Sequence, residues 1–133
     1  MRKSEQVDTV PYASCPAAYW QSLHSRYESI QAVGYSGLGR AYNMRTYRLR
    51  LAAARRILTR NNVRAKSLLE AGLGIGTYGP LWAEIGVREW TGIDVSPAAI
   101  ASASRSYPMR NFFVADLVTD KIGDAGTYDL VTA

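Results

Sequence analysis

The sequence predicts an α/β fold in which a parallel sheet starts only after residue 66, behind an N-terminal arm and helical extension. Two observations carry this reading. Over 40–60 the apolar residues recur with a helical period, whereas beyond Asn61-Asn62 short runs rich in β-formers alternate with helical or turn-rich stretches, the pattern of βαβ units. At 133 residues and 47% hydrophobic, the chain can build one core without disulfides or metals.

The elements follow in order. Residues 1–16 hold Pro11 and Pro16 among scattered polar residues and read as a loose arm. Ala17 to Ile30 reads as a helix, with Tyr19, Leu23, Tyr27 and Ile30 spaced by four, four and three, and Gln31 to Gly39 breaks it with three glycines. Arg40 to Arg60 places Met44, Tyr47, Leu51, Ala54 and Leu58 on one stripe, with Arg45, Arg56 and Arg60 on the far side and Arg48 and Arg55 flanking it. Strands are expected at Ser67 to Ala71, Glu89 to Ile93, Asn111 to Val114 and Tyr128 to Thr132. Between them come a short helix over Tyr78 to Ile85, closed by Gly86, and another that Ser96 caps and Pro97 opens, running to about Ser106.

Charge is uneven. Residues 1–66 carry twelve Lys and Arg against three acids, and 67–133 carry four against eight. Such a balance suits nucleic acid or an anionic surface, and equally a solvated helix face. A single cysteine, Cys15, cannot staple the chain, which points to a cytoplasmic protein. Met1-Arg2-Lys3 and Ala13-Ser14-Cys15 have no apolar run of seven between them, so no export signal is expected. No stretch of about 18 uncharged apolar residues offers a membrane span.

The second half carries the chemistry. The first strand runs into Glu70-Ala71-Gly72-Leu73-Gly74-Ile75-Gly76-Thr77, where three glycines two apart let the backbone turn sharply and approach a ligand. The second strand ends in Gly92-Ile93-Asp94 and the third in Val114-Ala115-Asp116-Leu117, so two carboxylates sit at the sheet edge where open α/β folds bind ligands. There Asp94 can accept the hydroxyl protons of a ribose, or cap the following helix, a task that Ser96 already fills.

These motifs, together with Tyr128-Asp129-Leu130-Val131 as the start of a fourth strand, resemble the first half of a class I S-adenosylmethionine-dependent methyltransferase over residues 67–133. The resemblance implies a Rossmann-like three-layer sandwich, of which this chain supplies the first half, with parallel strands in the order 3-2-1-4. Residues 1–66 are then an arm and helical lid, and 67–133 the N-terminal half of the cofactor-binding domain. The resemblance also implies S-adenosylmethionine as cofactor, with Glu70, Gly72, Gly74 and Gly76 at its methionine portion, Asp94 at the ribose, Asp116 with the Leu117 backbone at the adenine, and Val95 also among the cofactor-binding residues. Tyr42 and Arg45 would cover it from the lid. No metal is implied. The family's strands five to seven lie beyond Ala133, so the chain is expected to be a fragment that binds cofactor weakly and does not turn over alone.

The expected activity is methyl transfer to a small-molecule acceptor. An NAD(P)-binding oxidoreductase fragment is the nearest competitor, although its G-x-G-x-x-G turn requires glycine where Thr77 stands. A basic nucleic-acid-binding module using Arg45, Arg48, Arg55, Arg56 and Arg60, or a nucleic-acid methyltransferase, is the other reading. His24, the only histidine, reads as a surface or packing residue on its helix, and Cys15 as inert. No catalytic residue can be assigned from the sequence.

Overall fold

The structure is a computed structural model and describes residues 14–27, 29–122 and 127–133. Most of the expected arm, residues 1–13, lies outside them. Helix α1 (Pro16–Arg26) starts at Pro16, where a residue with a fixed φ and no N–H suits a first turn. The expected helix 17–30 is split. Tyr27 is extended, and Ser29 starts a new short helix α2 (Ile30–Val33) by accepting from Gln31 N at 3.4 Å. Local capping chemistry outweighs an apolar period that runs through both pieces.

A single 3-10 turn (Ser36–Leu38) leads into α3 (Gly39–Arg60), which matches the expected helix within one residue. Tyr47 is buried, Met44, Leu51, Ala54 and Leu58 are partly buried, and Arg45, Arg48, Arg55, Arg56 and Arg60 are exposed, as the stripe requires. Asn43, fully buried, ties the turn to this helix by accepting from Tyr35 N (2.7 Å) and donating to the Tyr35 and Gly39 carbonyls (both 2.9 Å).

The sheet comprises β1 (Ser67–Ala71), β2 (Glu89–Asp94), β3 (Asn111–Val114) and β4 (Leu130–Thr132), all parallel, in the spatial order β3-β2-β1-β4. Helices α4 (Gly79–Glu84) and α5 (Pro97–Ser106) make the first two crossovers. Leu68 and Trp90, paired across β1 and β2, face a core with Leu81, Trp82 and Ile85 of α4 and Ile100 and Ala103 of α5; Leu51, Ala54 and Leu58 of α3 close it. Strand alternation puts Phe113 and Val131 on the opposite face, where they are 57% and 61% exposed. Tyr107 packs edge-on against Trp90 at 4.9 Å and fills the space that a Cβ at Gly76 or Gly79 would need. Among the described residues no helix is long and apolar enough to cross a membrane.

Candidate functional site

The carboxyl ends of β1, β2 and β3 open into a cavity of about 800 Å³ that α1, Val33 and Tyr47 wall from the other side. Glu70, Gly72, Gly74, Asp94, Val95, Asp116 and Leu117 all line it, so seven of the ten residues expected at a cofactor lie around one space. The glycine loop adopts left-handed φ values of +69° at Gly72 and +56° at Gly74. A Cβ on Gly72 would meet nothing within 4 Å, whereas one on Gly74 would lie 2.7 Å from Val33 Cγ1. The first glycine thus leaves room for a ligand and the second lets α2 approach.

Asp94 is 9% exposed and braces this loop. Its Oδ2 accepts from Gly74 N at 2.8 Å and its Oδ1 from Ser96 N at 2.9 Å, while the Ser96 hydroxyl separately caps α5 by accepting from Ala99 N. One carboxylate therefore joins the turns after β1 and β2 and still has a lone pair on each oxygen. At the third strand end Asp116 Oδ1 accepts from Val118 N at 2.9 Å, holding its own turn.

Glu70 is 5% exposed, on the sheet face that meets α4, where Trp82 Nε1 donates to its Oε2 at 2.8 Å. Burial pushes its carboxyl up to about 7, against the opposing effect of the indole hydrogen bond. Around it stand aromatic rings: Tyr78 stacks on Trp82 at 5.9 Å, and Tyr47, whose hydroxyl donates to the Val33 carbonyl at 2.7 Å, lies 6.4 Å from Tyr78. Tyr47, Tyr78, Trp82 and Trp20 all line the cavity, and such faces attract a cation.

Three expected residues lie elsewhere. Gly76 packs against Tyr107 behind the loop, and Tyr42 and Arg45 are on the exposed part of α3, Tyr42 against Tyr35 at 6.1 Å. Tyr47, one turn on from Asn43 and on the buried stripe, faces the cavity in their place. His24 and Thr132 line it too, and neither was expected there. The signal for His24 lay in the four-residue step from Trp20, which puts both on one side of α1. Thr132 follows from register, because it pairs with Glu70 across β1 and β4. Among the described residues no group of three His, Cys, Asp or Glu could hold a metal.

No family model and no curated protein matches the sequence. Solved structures do. A SAM-bound amino-pentose methyltransferase from Micromonospora echinaspora is similar over 80% of this chain and 42% of its own, at 22% identity and a TM-score of 0.55. The magnesium protoporphyrin IX methyltransferase of Synechocystis, with bound SAH, is similar over 67% and 42% of the two chains, at 20% identity and 0.51. A sugar N-methyltransferase from a Streptoalloteichus species is similar over 62% and 33%, at 25% identity and 0.50. The chain spans less than half the length of each. The fold of this chain, with its parallel strands in the order β3-β2-β1-β4, is the Rossmann-like α/β fold of class I S-adenosylmethionine-dependent methyltransferases.

Proposed function

We propose that this chain forms the cofactor-binding half of an S-adenosylmethionine-dependent methyltransferase whose acceptor is a small molecule. The observation that carries the proposal is the convergence of Glu70, the glycine loop, Asp94 and Asp116 on one cavity at the carboxyl edge of the sheet. The donor set suits the cofactor: remaining lone pairs on Asp94 for ribose hydroxyls, Asp116 for an adenine amino group, and Glu70 with aromatic faces for the cationic methionine end.

When bound, S-adenosylmethionine supplies a methyl carbon on a sulfonium, open to in-line displacement. The chain's own residues bind and orient. Gly72 leaves its side of the loop open for close approach, Asp94 holds the loop in that shape, and Trp20, Tyr47, Tyr78 and Trp82 exclude water from the methionine end. A cation near Glu70 favours its ionised form, so binding at neutral pH displaces a proton from the Glu70 carboxyl.

The lining supports the acceptor class. Among the described residues around the cavity there are three acids and no Lys or Arg, in a chain of net charge +5. A phosphate-rich acceptor finds no partner there, and a neutral or cationic one does. The sugar acceptor named for one similar structure supports the same class. Arg45, Arg56 and Arg60 lie opposite the stripe of α3 that meets the core and do not line the cavity, whereas Arg50 lies over the ring of Tyr47 at 5.2 Å.

Calorimetry with S-adenosylhomocysteine and NADH tests the proposal. Binding of the former that is stronger than that of NADH and insensitive to salt is expected; tighter NADH binding, or a steep salt dependence, would refute it.

A further inference from the structure

We infer that His24 is a ligand-binding residue of this cavity, its imidazole hydrogen-bonding the ribose hydroxyls of the cofactor beside Asp94. The inference rests on the cofactor assignment above and adds to it a contact from the helical extension.

Anchoring comes first. Gln21 Oε1 accepts from Ser96 Oγ at 2.9 Å and from Ala98 N at 3.1 Å, fixing α1 over the turn that follows β2. Three residues on, His24 is held on the cavity wall, its ring 6.2 Å from that of Trp20. The side chain is 7% exposed, yet its Nδ1 is buried without a hydrogen-bond partner. Buried polar atoms are ordinarily paired, and an apolar ring would fill the same space without an orphaned nitrogen. The neighbouring Leu23 already supplies the apolar packing of this turn.

The chemistry of the surroundings selects a hydroxyl. Burial holds the imidazole below its usual range, and the Asp94 charge opposes this only in part, so the ring is neutral, with one donor and one acceptor. Each Asp94 oxygen already accepts a backbone N–H, from Gly74 and Ser96. A carboxylate can take hydroxyl protons but cannot donate to hydroxyl oxygens. A neutral imidazole can, so the pair matches a vicinal diol as neither group does alone.

His24 is the only histidine, so its ring signals in a nitrogen-correlated NMR spectrum need no assignment. Adding S-adenosylhomocysteine to the full chain should shift them, and adding its 2′,3′-dideoxy analogue should not. In calorimetry His24→Phe should weaken S-adenosylhomocysteine roughly three- to tenfold, the worth of one hydrogen bond, and leave the dideoxy analogue unaffected, with His24→Gln in between. Equal losses for both ligands would mark a merely structural role and overturn the inference. So would unchanged ring signals at saturating ligand, an arm that needs no variant to fold. That result would leave the cofactor assignment standing, whereas absence of any S-adenosylhomocysteine binding by the wild-type chain would overturn both.

Discussion

Replacing Asp94 by alanine should destabilise the chain even when no ligand is present. The carboxylate accepts from Gly74 N, 20 residues earlier, at 2.8 Å and from Ser96 N, two residues on, at 2.9 Å, in a setting 9% exposed. A hydrogen bond to a charged group contributes about 1.5–3 kcal/mol, so two lost together would cost roughly 3–6 kcal/mol. Water entering from the cavity can rewet the freed N–H groups, which brings the expected loss to about 3 kcal/mol, a large share of the ~5–15 kcal/mol that holds a domain. Asp94→Asn keeps one acceptor and should lose about half as much. Urea unfolding followed by tryptophan fluorescence measures both, and an unchanged slope would show that the native state itself has been weakened. A residue that served only to contact ligand would leave the unliganded chain as stable as before. Loss of under about 0.5 kcal/mol in the alanine variant would therefore refute the brace, as would equal stabilities of the two variants.

Glu70 should make stability fall with rising pH. Its folded carboxyl titrates at about 7 against 4.5 for the ordinary group, so the folded state holds the extra proton; this contribution is full below about pH 4.5, declines towards pH 7 and is gone above it. Glu70→Gln should flatten the decline, worth about 3 kcal/mol at 1.36 kcal/mol per pH unit, and unfolding curves from pH 4.5 to 8 will show whether it does. Gly74→Ala should cost more than about 1–2 kcal/mol, from a left-handed backbone and the 2.7 Å approach to Val33, while Gly37→Ala, with nothing within 4 Å, should be near neutral in the same melts. Arg55→Ala should change stability little despite its bidentate contact with Glu84 at 2.6 and 2.7 Å, because both side chains are half-exposed; a double-mutant cycle in low and high salt checks this.

The strands were legible because short apolar runs, Leu68-Leu69 in β1 and Phe112-Phe113-Val114 in β3, recur at βα spacing, and both strands occur where the pattern placed them. Helix α3 was legible for the same reason, its stripe and its basic back both being read from one period. The break at Tyr27 was not, since nothing in the spacing of Tyr19, Leu23, Tyr27 and Ile30 says that Ser29 will cap a second helix. In the site, strand-end positions for Glu70, Asp94 and Asp116 came directly from the βα pattern. The second partner of Asp94 did not, because a bond from Gly74 N depends on how two turns meet in space. Tyr42 and Arg45 lie outside the packed stripe of α3, whereas at the cavity the stripe itself provides the wall, through Tyr47.

The Gln21 anchor bears on the order in which the molecule assembles and comes apart. Its bonds to Ser96 and Ala98 span 75 and 77 residues, so they close only after β1, α4 and β2 have set the start of α5 in place. Helix α1 is 11 residues long, too short to persist in isolation, and most of its side chains keep some contact with solvent. It therefore belongs to the units that open at low energy while β1 and β2 stay closed. Amide exchange would register this as early labelling of α1 ahead of the central strands. Trp20 and His24 ride on that helix, so early labelling of α1 would mean that part of the cavity wall comes away before the sheet opens.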